Sequence, residues 1–366
     1  RTSAGADVAV VEGAMGLYDG LEGSDIASTA HVAKILDAPV ILVVDAGGAS
    51  RSVHAMIQGY AGFDPGVRVA GVILNRIGSA RHLTMIEETK SLPIYGGVPR
   101  RKDLTVESRH LGLAMATEDD AMARFGAVVE ETCDLSRVMD LARSAPPLPA
   151  PAEGGSRSET RVRIGVAQDA AFCFYYADNL DRLARAGADL VFFSPVANRL
   201  PDVDALYIGG GYPELHAAAL TASRCREDIR RAADDGMPIY AECGGLIYLT
   251  EQLATAGGDY PMAGVLPATA VMTDRIQALG YVEARVAGGA PILIPGSAFR
   301  GHEFHYSRLD CASDARFALT LLRGKGIDGG RDGLIAQNAV GQYTHAYFTE
   351  GSAGMLVQAA LAYRRS

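Results

Sequence analysis

Apolar positions along this chain fall into short, nearly unbroken runs of Val, Ile, Leu and Ala, separated by segments with helical spacing. In the first half the runs are 8–12, 40–45 and 69–74; in the second they are 162–167, 190–193, 205–208 and 238–241. Continuous rather than alternating runs predict strands of parallel sheets covered on both faces. Helices such as 179–186 are predicted between them. Residues 261–345 carry shorter runs (279–286, 301–306 and 334–338) that predict a mixed sheet. The stretch 143–160 (RSAPPLPAPAEGGSRSET) has no apolar period, and its Pro, Ala, Gly and Ser content predicts an interdomain linker. The expected organisation is two α/β domains, 1–142 and 161–366.

One residue stands out within this pattern. In YAECGGLIYL (240–249) a strand run ends at Cys243, a glycine pair follows, and Leu246, Ile247 and Leu249 open a buried helix. A strand-to-helix turn of this kind pushes one side chain out at the top of a sheet, and Gly244 and Gly245 permit close approach to the backbone. Cys243 is therefore expected to be a nucleophile, its thiolate favoured by the helix N-terminus. A packing cysteine would not need the flanking glycines.

Composition narrows the field. The chain has 366 residues, 48% hydrophobic and 21% charged, which suits a globular protein with a sizeable core. A net charge of −9 argues against nucleic acid or an anionic membrane as the main partner. No apolar run is long enough to predict a membrane-spanning helix. The five cysteines (Cys133, Cys173, Cys225, Cys243 and Cys311) are odd in number and include no CxxC pair, which speaks against a disulfide framework or zinc site and fits a cytoplasmic setting.

Other residues carry candidate chemistry. Gly209, Gly210 and Gly211 follow the 205–208 strand, where successive backbone N–H groups can converge on an oxyanion. The base for the thiol is left open among His302, His305 and His345. His302 and His305 lie in an alternating run, so they are expected to face opposite ways and not to share a metal. In the first half, the 8–12 strand ends in Glu12, followed by a glycine-rich loop and Asp19. An acid at a parallel-strand tip is a place to hold Mg²⁺. Asn75 ends the 69–74 run with a side chain that can pair with a purine edge. Arg100 and Arg109 add positive charge suited to a substrate rich in carboxylates.

YAECGGLIYL, IGGGYPELHA (208–217), RGHEFHYS (300–307) and GQYTHAYF (341–348) together resemble the cobyrinic acid a,c-diamide synthase family. Residues 171–195 and 272–284 are similar to it as well. The resemblance implies an α/β fold of two domains: a P-loop NTPase-like, dethiobiotin synthetase-like domain, then a class I glutamine amidotransferase-like domain. It implies that Cys243 attacks glutamine, that His345 assists it, and that N–H groups around Gly210 and Gly244 hold the oxyanion. Related amidotransferases carry a glutamate two residues beyond the histidine; here Tyr347 stands there, and Glu303 is a weak candidate for the third role. Glu12 would bind Mg²⁺, Asn75 the base of ATP, and Asp19, Arg100 and Arg109 the acid being amidated. The implied partners are cobyrinic acid, L-glutamine and ATP; homo-oligomerisation stays open. Hydrogenobyrinic acid or nickel-sirohydrochlorin are alternative acids, and a non-catalytic nucleotide-binding scaffold is the more distant alternative. The family's G-x-x-x-x-G-K-[ST] phosphate loop occurs nowhere in these residues. The expectation is that the chain lacks the portion bearing that loop, a natural form that lost ATP chemistry being the alternative, and that any activity of these residues is limited to glutamine hydrolysis without ATP turnover.

Overall fold

The computed structural model describes residues 3, 5–89, 91–104, 121–148, 162–290 and 292–365. Tertiary contacts divide the chain into two compact units, Arg1–Ala152 and Glu153–Ser366.

The first unit alternates α1 (Thr29–Leu36), β1 (Val40–Asp45), α2 (Ser52–Phe63), β2 (Val69–Ile77), α3 (Ala80–Glu87) and β3 (Ile94–Pro99). The helices α4 (Ala121–Thr132) and α5 (Leu135–Arg143) follow. The three strands form a parallel sheet in the order β1-β2-β3. Ser28 and Ser79 start α1 and α3 by accepting the N–H groups of His31 and His82, the usual service of an N-cap hydroxyl. Leu42, Val44, Val72, Leu74, Val53 and Ile57 meet in the core.

Two expectations fail in this unit. Residues 8–12 form no strand; Val10 is 90% exposed and Val11 59%. A β run without a ladder partner has nothing to hold it extended, so apolar composition alone does not make a strand. Nor is β1 covered on both faces: Leu42 and Val44 are buried while Val43 is 62% exposed.

The second unit opens with β4 (Val162–Ala167), β5 (Phe172–Phe174), α6 (Ala177–Ala186), β6 (Ala188–Phe193), β7 (Ala205–Ile208) and β8 (Gly210–Gly211). It continues with α7 (Ala217–Ala222), α8 (Cys225–Asp234), β9 (Ile239–Glu242) and α9 (Gly244–Leu249). Then come β10 (Thr250–Thr255), β11 (Gly258–Pro261), β12 (Leu266–Met272), β13 (Ala278–Val286), β14 (Ala298–His305) and β15 (Ser307–Cys311). The remainder is β16 (Arg316–Arg323), β17 (Arg331–Ala336), β18 (Ala339–Gln342), β19 (His345–Ala346) and α10 (Glu350–Arg364). Ten strands join in the order β19-β14-β13-β16-β17-β18-β9-β7-β4-β6. The segment from β18 to β6 is parallel and the rest antiparallel, a mixed sheet. Every residue of β7, β9 and β18 is buried, Glu242 and Gln342 included, as suits central strands covered on both faces.

Helix ends follow from particular residues. Gly187, at φ 110°, closes α6 in the left-handed conformation that glycine adopts without strain. Thr349 and Ser352 cap α10 reciprocally.

One buried carboxylate ties the late strands together. Asp332 in β17 accepts the N–H groups of Gly333, Tyr343 and Thr344 and the Thr344 hydroxyl at 2.7–3.0 Å. It thereby fixes the link between β18 and β19. Asp332→Ala strands these buried donors, and we expect a loss of about 3 kcal/mol or more of stability. Chemical denaturation of the variant beside the parent chain measures it.

Candidate active site

The site lies at the carboxyl end of β9. Cys243 sits between β9 and α9 at φ 47° and ψ −100°, a left-handed conformation that costs a non-glycine residue energy and recurs at functional positions. Two hydrogen bonds hold it there: its N–H donates to the Gln342 carbonyl at 2.8 Å, and its own carbonyl accepts Ile247 N–H at 3.0 Å. The turn is compact because of its glycines. A Cβ on Gly245 would overlap the Ile208 carbonyl, and one on Gly244 would lie 2.8 Å from Gly211 N.

Gly209–Gly211 form a strap against this turn. Gly245 N–H donates to the Gly209 carbonyl at 3.0 Å, and β8 pairs with β5. On another side the His345 ring lies directly on Gly210, where a Cβ would collide with it. Cysteine turn and histidine thus pack on one strip of bare backbone. Gly209 differs from the sequence expectation: its N–H donates to the Tyr175 hydroxyl at 2.8 Å, which already occupies it. Gly244 N–H is the amide directed at the Cys243 sulfur.

Burial sets the protonation of both groups. It pushes the Cys243 thiol up to about 12, with the Glu214 charge adding to the rise and the Gly244 amide opposing it. The thiolate expected from the helix N-terminus is therefore not the resting form, because desolvation outweighs the amide. The thiol instead donates to the Phe304 carbonyl of β14 at 3.8 Å. His345, 6% exposed, is pushed down to about 3 by burial and by the neighbouring His302 and His305. The resting pair is a neutral thiol and a neutral imidazole, an arrangement suited to general-base activation of the sulfur.

His345 is held through its neighbours. His302 stacks on it with centroids 4.8 Å apart and planes 10° apart, and Nδ1 of His302 hydrogen-bonds the Tyr176 hydroxyl at 2.7 Å. The next residue, Ala346, donates N–H to Glu242 at 2.9 Å and accepts from Asn179 Nδ2 at 2.8 Å. Glu242, beside Cys243, also accepts the Tyr240 and Tyr207 hydroxyls at 3.0 Å each. One carboxylate therefore joins the cysteine turn to the histidine strand.

The third-member candidates fall elsewhere. Tyr347 turns outward to Asp178 and Arg182. Glu303 accepts the N–H groups of Lys325 and Gly326 at 2.6 and 2.9 Å and faces His305 rather than His345. His305 stacks on Tyr343 and bonds the Ser307 carbonyl. His302 and His305 thus serve different surroundings, as their i, i+3 spacing on a strand requires. No carboxylate hydrogen-bonds the His345 ring among the described residues. Sequence reasoning did not find Glu242, Asn179 and Asp332 as supports; an acid closing an apolar run was the signal at Glu242, whereas Asn179 and Asp332 stand among polar neighbours that hide them.

In the first unit, Asn75 stands opposite Asp45 at the carboxyl ends of β2 and β1 and is exposed. Its Oδ1 accepts Arg76 N–H at 2.8 Å, and the Arg76 side chain pairs with Asp45 at 2.9 Å. Arg100 contributes charge to the same Asp45, whose carboxyl is held down chiefly by the Gly47 N–H and by Arg76. Asp45 and Arg76 were not singled out from sequence, although the acid-at-a-strand-tip signal used for Glu12 applies to Asp45 too. Glu12 and Asp19 are exposed, and among the described residues no hydrogen bond or ion pair joins them to this cluster. Among the described residues no group of three or more His, Cys, Asp or Glu could hold a metal, and a single exposed Glu12 does not assemble a Mg²⁺ site. Arg109 lies outside the described residues. No described helix is long and apolar enough to cross a membrane.

A strand–cysteine–helix turn with a buried histidine on a glycine strap is the apparatus of a glutamine amidotransferase, and the CobB/CobQ-like glutamine amidotransferase domain profile matches residues 163–353. An AAA domain profile matches residues 1–108. The chain is 42% identical to the cobyrinate a,c-diamide synthase of Methanosarcina acetivorans, over 100% of this chain and 81% of that protein. It is 44% identical to the one from Archaeoglobus fulgidus (95% and 78%) and 46% identical to that of Halobacterium salinarum (93% and 77%). Among solved structures, PurLQS of Thermotoga maritima aligns at a TM-score of 0.41 and 18% identity, over 56% of this chain and 99% of that one. The chain belongs to the cobyrinate a,c-diamide synthase family.

Two measurements follow from the geometry. Gly210→Ala places a methyl in the His345 ring, and glutamine hydrolysis should fall at least about tenfold in a folded protein, since small misplacements of catalytic groups are costly. Glu242 is pushed up to about 7 by burial, from 4.5. Between these values the folded state holds a proton that the unfolded chain has lost, so this group's contribution to stability falls as pH rises through the window. Glu242→Gln removes that slope, so its destabilisation relative to the parent should shrink from about pH 4.5 to about pH 7. Denaturation midpoints across that range test the sign.

Proposed function

We propose that this chain serves the glutamine- and ATP-dependent amidation of the a- and c-carboxylates of cobyrinic acid in cobalamin biosynthesis, and that these 366 residues, which carry no G-x-x-x-x-G-K-[ST] loop, by themselves hydrolyse glutamine without turning over ATP. The observation that carries the reading is the strained Cys243 turn packed with His345 on one glycine strap. It is supported by 41–46% identity to cobyrinate a,c-diamide synthases along most of the chain.

In the second unit, neutral His345 takes the Cys243 proton as the sulfur attacks the side-chain carbonyl of glutamine. The tetrahedral oxyanion is met by backbone N–H groups at Gly244 and around Gly210 and Gly211. His345 returns the proton to the leaving nitrogen, and ammonia departs, leaving a glutamyl thioester. Water, deprotonated by His345, then cleaves the thioester to glutamate and free thiol. Gly209 serves as scaffold, because Tyr175 holds its N–H.

The first unit would belong to a dethiobiotin synthetase-like synthase domain, where ATP held by a phosphate loop activates each carboxylate as an acyl phosphate that ammonia displaces. Asn75 would take the nucleotide base, and Asp19, Arg100 and Arg109 the acid. Mg²⁺ at Glu12 is the part of this reading that the described residues do not build, so no step is derived through it.

Cys243→Ala should lower glutamine hydrolysis by at least about a thousandfold, as loss of a nucleophile does elsewhere. It should also abolish labelling by diazo-oxo-norleucine. Persistent hydrolysis or labelling in the variant would sink the reading.

A further inference from the structure

Glu214 is not used by the mechanism above. It lies in the 3₁₀ turn Pro213–His216, directly after the glycine strap. The Pro213 ring packs over Gly244, 3.1 Å from where a Cβ on that glycine would stand. One carboxylate oxygen of Glu214 is fully buried and has no hydrogen-bond partner. No cation pairs with it among the described residues, and burial pushes its carboxyl up to about 7. Among the charges acting on the Cys243 thiol, that of Glu214 is the strongest, and it opposes the thiolate.

Beyond its own backbone N–H this carboxyl has no support among the described residues, and a largely buried acid with one orphaned oxygen beside a nucleophilic thiol is doubly costly: it is poorly solvated, and it suppresses the sulfur. A cationic ligand removes both costs. Glutamine brings one, since its α-ammonium stands three carbons from the amide carbon that Cys243 attacks. We propose that Glu214 is the receptor for the α-ammonium of glutamine, and that binding this ammonium releases the thiol from the carboxylate's opposition. The inference rests on the amidotransferase reading and adds to it the selection of substrate. Without an amino acid in place Cys243 stays a quiet thiol; with one it becomes easier to deprotonate.

The test compares glutamine with glutaramate, which has the same amide and carboxylate but no α-ammonium. The parent chain should prefer glutamine by about a hundredfold or more in kcat/KM, the penalty typical of leaving a buried polar group unpaired. Glu214→Gln should shrink that preference at least about tenfold, chiefly by raising KM for glutamine. In the absence of substrate, and at a pH where Glu214 is ionised, the variant should also alkylate Cys243 faster with uncharged iodoacetamide. Equal use of the two amides by the parent, or a folded variant with an intact preference or unchanged alkylation, would overturn the inference. Should Glu214→Gln not fold, Glu214→Asp decides instead. A KM that rises for glutamine alone supports the proposal, and one that rises equally for both amides refutes it. Undiminished hydrolysis without an ammonium preference would fail this inference alone, whereas absence of Cys243-dependent hydrolysis would fail the amidotransferase reading.

Discussion

The site depends on backbone approaching backbone more closely than any side chain permits. Gly209–Gly211, Gly244 and Gly245 each sit where a Cβ would strike a carbonyl, an amide or a ring. That closeness lets one strip of chain support the cysteine turn on one side and the histidine on the other. The remaining architecture serves this contact. The buried strands β7 and β9 bring the strap and the turn side by side, and β18 supplies the Gln342 carbonyl that holds Cys243 in its strained conformation.

A second layer holds the histidine without touching its ring through a carboxylate. Glu242 and Asn179 pin the amide and carbonyl of Ala346, Asp332 fixes Tyr343 and Thr344, and His302 covers the ring face. Hydrogen bonds to the Ala346 backbone fix where the histidine strand lies, and His302 stacked on the ring limits how it can turn. Buried thiol and buried imidazole are both kept neutral by desolvation. Reactivity is then released at the moment of attack, when the sulfur's proton has somewhere to go.

Much of this was legible in the sequence, for physical reasons. The strands at 162–167 and 205–208 appear where their apolar runs lie, because central strands covered on both faces favour such runs. The turn at Cys243 was readable because a cysteine that merely packs in a core would not need the flanking glycines. By contrast, the run at 8–12 has strand composition but no partner among the described residues, and pairing is a nonlocal property that a run cannot announce. The thiol's resting charge was misjudged because a local helix-end argument ignores desolvation, which only the assembled core reveals. Glu303 resembled a catalytic acid by its neighbours in the chain, yet it serves the turn at Lys325 and Gly326 because strand alternation turns it away from His345.

Cys243 alone among the five cysteines is expected to form a covalent bond to substrate. Acid-quenching the chain during glutamine turnover, followed by peptide mass spectrometry, reads this directly. One glutamyl group should appear on the peptide bearing Cys243 and none on those bearing Cys133, Cys173, Cys225 or Cys311. An adduct on another cysteine, or turnover without any adduct, would contradict it.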